Sequence, residues 1–150
     1  MENGAQIGIL ALENASHNTG IAGATGGQFL DLFPSQLTEF ALEEAIYKKT
    51  VTLFEVSMVL GWLFGGGEID KLDLVKQAAY HFGMAFQIAD DIQDFFSDAS
   101  GERKMNYAGI LGLESAKNRL EKELFQFLET LNSLSIDASE FHEIALSLNP

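Results

Sequence analysis

The sequence predicts an all-α protein, and three observations carry that expectation. Only two prolines occur, Pro34 and Pro150. Ala, Leu, Glu and Phe recur at three- and four-residue steps, the spacing that puts side chains on one helical face. No segment sustains the two-residue alternation of a half-buried strand. At 150 residues and 47% hydrophobic, the chain suits a single domain over residues 1–150 with a core of its own.

Taken in order, a first helix is expected from near Gly4 to His17, ending where Asn18-Thr19-Gly20 begins a glycine-punctuated stretch, TGIAGATGGQ (Thr19–Gln28). Its glycines let helices approach closely or let the backbone turn. After Leu32-Phe33-Pro34-Ser35, a long helix starts near Thr38, with Glu39, Glu43 and Glu44 near its positive N-terminal end, and runs to Phe64. Gly65–Gly67 stop it. The next helix covers Ile69 to Phe96, and Ser97–Lys104 reads as a loop. An amphipathic helix over Ala108–Leu131 follows from Leu113, Ala116, Leu120, Leu124, Phe127 and Leu131. Asp137 with Glu140 resembles a capping box for a short last helix.

The formal charge of −13, from 22 acids against 9 bases, argues against nucleic-acid binding, which needs clustered Lys and Arg. Cationic partners, including divalent metals, are favoured instead. With no cysteine in the chain, disulfides, thiolate zinc sites and cysteine nucleophiles are excluded, which fits a reducing compartment. The first basic residue is Lys48, so Ile7–Leu12 lacks the charge a secretory signal needs. Val51–Phe64 is too short to span a bilayer and carries Glu55. The expectation is a cytoplasmic chain with no membrane span.

Three aspartates fall within five residues of FQIADDIQD (Phe86–Asp94). On a helical wheel with Asp90 at zero, Asp94 lies near about 40° and Asp91 near about 100°, so all three share one side. Gly83 falls near about 20°, leaving space on that side, and Gln87 near about 60°; Ala85, Ile88, Ile92, Phe95 and Phe96 lie opposite. Two carboxylates about 4 Å apart repel by about 4 kcal/mol at an effective dielectric near 20, so a partly buried cluster needs a proton or a cation. Mg²⁺ suits such oxygens. The plainer alternative is a solvated acidic face, which Asp98 simply extends.

Lys48-Lys49-Thr50 precedes a nearly apolar run, VTLFEVSMVLGWLF. A lysine and a hydroxyl there can hold a diphosphate against metals; alternatively, Glu44 pairs with Lys48 at four-residue spacing. Gln28 and Asp31 are either ligand contacts or turn residues, with the turn favoured in isolation. His17, His81 and His142 are dispersed, and His81 reads as a packed or boundary residue. Phe54, Trp62, Phe64, Tyr80, Phe82 and Phe86 fill a core by default or line an apolar tunnel. Phosphate-loop, dinucleotide, nucleophile-elbow and His-Glu-x-x-His patterns are missing.

In this order, GGQFLDL (Gly26–Leu32), KKT (Lys48–Thr50), GMAFQIADDIQD (Gly83–Asp94), Lys104-Met105-Asn106-Tyr107 and ILGLESA (Ile110–Ala116) resemble the C-terminal half of a trans-isoprenyl diphosphate synthase. The family is that of polyprenyl synthetases of the farnesyl and geranylgeranyl diphosphate kind. The resemblance spans about Leu10 to Leu131. It implies a partial isoprenoid-synthase helical fold, about half of the helical barrel, with Asp90, Asp91 and Asp94 as the second aspartate-rich motif binding Mg²⁺.

It further implies that Lys49, Thr50 and Gln87 face the substrate as catalytic residues, and that Lys49, Lys104 and Gln28 bind the substrate diphosphate, with Lys104 at the allylic one. Gln28 corresponds to a glutamine near the reacting allyl chain. The implied reaction is metal-assisted ionisation of an allylic diphosphate, attack by isopentenyl diphosphate on the cation, and loss of a proton. Departures stand beside these matches. No aspartate precedes Asp31, residues 1–47 hold no Lys or Arg, and Asn106 replaces the family's usual Thr. The expectation is therefore one metal-binding wall, inactive by itself, that forms a homodimer or pairs with a chain supplying the missing half. The alternatives are a non-catalytic helical subunit of another prenyl synthase and a plain helical domain.

Overall fold

The computed structural model describes residues 3–97 and 106–148, and among these the ordered elements are all helical. The first helix, α1 (Gly4–Thr19), ends at Gly20 and buries only Ala11, Asn14 and Asn18. Its two asparagines donate to one carboxylate oxygen of Glu55, at 2.7 and 3.0 Å, and so tie α1 to the central run that carries Glu55. The glycine-rich stretch is not a long turn. After three residues of turn the chain re-enters helix α2 (Ala24–Leu32), which contains Gly26, Gly27, Gln28 and Asp31.

Thr38 caps the next helix as expected, its hydroxyl accepting the Ala41 N–H at 3.2 Å. The helix to Phe64 is continuous but not uniform: α3 (Glu39–Ile46) widens into a π turn at Tyr47–Val51 and resumes as α4 (Thr52–Phe64). Three successive β-branched residues, Thr50, Val51 and Thr52, crowd this turn. The Thr52 hydroxyl donates to the Lys48 carbonyl at 2.5 Å.

Gly65–Gly67 end α4 in a Schellman arrangement. Gly67 N–H reaches the Trp62 carbonyl at 2.8 Å and Gly66 N–H the Leu63 carbonyl at 3.4 Å, with Gly66 at φ +86°. Trp62 then donates its indole N–H to the Glu68 carbonyl at 2.8 Å.

A short 3₁₀ turn, Ile69–Lys71, leads into α5 (Leu72–Ser97), the axis of the fold, which packs against α4 and against α7 (Leu113–Ser133). Between them lies α6 (Tyr107–Leu111). The single amphipathic helix expected from Ala108 is thus two helices, because Gly112 sits at φ +89°, ψ 151°. Beyond that break the predicted stripe holds: Ala116, Leu120, Leu124, Phe127 and Leu131 are buried. Each large side chain so buried contributes about 1.5–3 kcal/mol.

On α5 the inward side comprises Val75, Ala78, Phe82, Ala85, Ile88 and Ile92, but Phe95 and Phe96 remain exposed. The last helix, α8 (Ser139–Ser147), docks Phe141 on Phe127 with ring centroids 6.1 Å apart. Its expected capping box is one residue out of register. Ala138 is the cap position, and Asp137 accepts the Ser139 N–H at 3.1 Å.

Candidate functional site

Two glycines bring the sequence-predicted residues together. A Cβ on Gly83 would stand 2.8 Å from the Val51 Cα, and one on Gly27 would strike the Lys48–Lys49 backbone. The π turn is therefore gripped between α2 and α5 at backbone distance. Gly83 does not leave space beside the acids, as the wheel suggests; Val51 occupies it.

This grip aligns the site. The Thr50 hydroxyl donates to Gln87 Oε1 at 2.8 Å, and Gln87 Nε2 donates to Asp91 Oδ1 at 2.9 Å. The other oxygen, Asp91 Oδ2, accepts the Tyr107 backbone N–H at 2.6 Å. Lys49 Nζ meets Asp31 Oδ2 at 2.6 Å across the α2 boundary. Lys48 pairs with Glu44 at 2.7 Å, the four-residue pairing weighed from the sequence. A cavity of about 20 Å³ lies where Asp31, Lys49, Gln87 and Asp91 converge.

Beside this polar line a wider groove of about 750 Å³ is lined by Gln28, Lys49, Thr50, Leu53, Phe54 and Phe86 among others. Gln28 and Asp31 reach the site from helix α2 rather than from the turn favoured in isolation. The aromatic residues divide between the two roles considered. Phe82 is buried, whereas Phe54 and Phe86 line the groove, with the Phe54 ring 4.9 Å from Phe82 and 5.2 Å from Phe86.

The three aspartates do not share a solvated face. Asp90 and Asp94 are exposed on the last turns of α5, but Asp91, about 100° further round the helix, turns under α6 and is only 5% exposed. Desolvation pushes its carboxyl up to about 6, against the Tyr107 and Gln87 hydrogen bonds, with the charges of Asp90 and Asp94 adding to the rise. Asp98 and Lys104 lie outside the described residues.

Mg²⁺ takes hard oxygen donors and is commonly held by one or two carboxylates plus substrate phosphates. Asp90 and Asp94, exposed and one turn apart on α5, could offer such oxygens. Among the described residues no group of three or more His, Cys, Asp or Glu side chains could hold a metal ion.

A second polar cluster escaped the sequence reading. His81 Nδ1 lies 2.6 Å from Glu123 Oε2, and Arg119 Nε donates to Glu123 Oε1 at 2.6 Å while also meeting Glu43 at 2.8 Å. Glu123 is only 3% exposed. A charge lying between Leu120 and Phe127 in the apolar stripe of α7 was the available signal. His81 is, as expected, a boundary residue packed against its neighbours.

The helical frame sets a lysine–threonine turn against an aspartate-bearing helix, beside an apolar groove. The chain belongs to the polyprenyl synthetase family, whose model matches residues 12–108. A trans-prenyltransferase of African swine fever virus is 31% identical over 139 residues, which are 93% of this chain and 37% of the viral protein. A heterodimeric geranylgeranyl pyrophosphate synthase large subunit from Arabidopsis thaliana is 30% identical over 143 residues, covering 83% of this chain and 38% of that protein.

A geranyltransferase from Helicobacter pylori, solved with magnesium and isoprenyl diphosphate, superposes with a TM-score of 0.75 at 26% identity. That match covers 96% of this chain and 51% of the solved one. The chain thus spans little over a third of the curated relatives and about half of a solved synthase. Among the described residues no helix is long and apolar enough to cross a membrane.

Proposed function

We propose that residues 1–150 form a single domain, the C-terminal half of a prenyltransferase that condenses an allylic diphosphate with isopentenyl diphosphate. The observation that carries this reading is the continuous line from Thr50 through Gln87 to Asp91, set between Lys49 and an apolar groove. Lys49, now held by Asp31, donates instead to the arriving diphosphate. Thr50 and Gln87 shape the polar rim. Gln28, Phe54 and Phe86 lie along the prenyl chain and keep water from the allylic carbon as positive charge develops there.

Asp90 and Asp94 hold Mg²⁺ directly, and Asp91 anchors the line behind them. When bound, Mg²⁺ neutralises the leaving diphosphate. The resemblance assigns Lys104 a further diphosphate contact.

Within these 150 residues the acids of an opposite wall are missing, since the first aspartate is Asp31. The opposing acids come from outside this stretch. By itself the chain should not condense isopentenyl diphosphate with dimethylallyl or geranyl diphosphate. Measured turnover that Asp90→Ala abolishes would overturn that statement.

A second reading, a non-catalytic subunit of another prenyl synthase, is favoured by the exposed apolar side chains of Phe29, Leu32, Phe33, Leu53 and Phe96. Co-purification of a second synthase chain that carries the missing acids supports it; a homodimer retaining the same two faces does not.

A further inference from the structure

Asn106 stands where the motif departs from its family, and its side chain makes two bonds in opposite directions. Its Oδ1 accepts the Gly109 N–H at 2.8 Å and caps α6; its Nδ2 donates to the Asp91 backbone carbonyl at 2.9 Å. The next residue, Tyr107, places its N–H on Asp91 Oδ2 and is itself only 2% exposed. Asp91 is therefore held twice from α6, once at its backbone and once at its carboxylate. The remaining oxygen fixes Gln87, and Gln87 fixes the Thr50 hydroxyl.

We propose that Asn106 is a positioning residue: by clasping α6 to Asp91 it sets the rotamer of Asp91 and, through it, the orientation of Gln87 and Thr50 at the diphosphate wall. The inference rests on the reading of that wall as a diphosphate site and adds the residue that aims it. No contact between Asn106 and substrate is required. A side chain that only capped α6 needs an acceptor alone, whereas the clasp needs a donor as well. A hydroxyl supplies both, and a carboxylate supplies only the first.

The test follows from that difference. Asn106→Asp keeps an acceptor for Gly109 but turns an oxygen towards the Asp91 carbonyl, and Asn106→Thr restores a donor. In the full chain, calorimetric titration with methylenediphosphonate plus Mg²⁺ should give about three- to tenfold weaker binding for Asn106→Asp, with recovery in Asn106→Thr. The ¹⁵N-resolved side-chain amide of Gln87 should move in Asn106→Asp and return in Asn106→Thr.

Wild-type affinity in Asn106→Asp overturns the proposal and leaves the diphosphate reading standing. No binding by the wild-type chain removes the diphosphate reading, and the Gln87 amide then decides the clasp: moved by Asn106→Asp it stands, unmoved it falls. A binding loss matched by a fall in melting temperature and not recovered by Asn106→Thr also overturns it, as general destabilisation.

Discussion

Replacing Asp91 by asparagine removes a carboxylate that the fold has taken out of water, and its effect on stability has a sign fixed by pH. The Asp91 carboxyl is pushed from 3.8 up to about 6, chiefly by desolvation. A folded-state pKa above the unfolded value means that the folded chain keeps its proton longer. Stability from this group is therefore full below about pH 4 and lost as pH rises through about 6. At 1.36 kcal/mol per pH unit, the rise costs the ionised fold about 3 kcal/mol.

The amide introduced by Asp91→Asn would keep an acceptor for Tyr107 N–H and would oppose its own N–H groups to those of Gln87, a fixed offset that does not titrate. The assay is urea unfolding followed by helical circular dichroism, wild type against Asp91→Asn, from about pH 4 to about pH 7. The stability of wild type relative to the variant should fall by about 2–2.5 kcal/mol across that window. A flat difference, or one that rises with pH, would refute the reasoning, because the Tyr107 and Gln87 bonds would then outweigh burial.

Gly83→Ala should destabilise by about 1–3 kcal/mol, since its methyl meets the Val51 backbone, which cannot rotate aside; the shift of the urea midpoint measures it. Arg119→Ala leaves Glu123 buried with only His81 and should cost about 3–5 kcal/mol, and the double variant with Glu123→Ala should recover part of the loss in thermal melts. Phe127→Ala, at a side chain with 0% exposure between Phe82 and Phe141, should cost about 3–5 kcal/mol by the same denaturant assay.

The parts of the fold that were legible are those set by local chemistry. Thr38 caps because its hydroxyl reaches Ala41, and the three glycines after Phe64 stop a helix because Gly66 must adopt positive φ. The site was legible as a set of residues but not as an arrangement. A wheel measures angle around one helix and is blind to what packs there, so it grouped Asp91 with Asp90 and Asp94 although α6 covers it.

The π turn had no Pro or Gly of its own to announce it. Gly27 and Gly83 approach its backbone from two other helices, far away in sequence. Gly112 was concealed by an apolar stripe that continues on both sides of the break. Glu123 was passed over because its partners, Arg119 and His81, come from one turn away on α7 and from a separate helix.

The central claim is that Asp90, Asp94 and Lys49 make one wall of a metal-dependent diphosphate site. Titration calorimetry of the wild-type chain with methylenediphosphonate, with and without Mg²⁺, tests it most directly beside the Asp90→Ala/Asp94→Ala variant. Saturable binding that requires Mg²⁺ and disappears in the folded variant is the predicted result. Absence of binding by the wild-type chain, or equal binding by the variant, would contradict it.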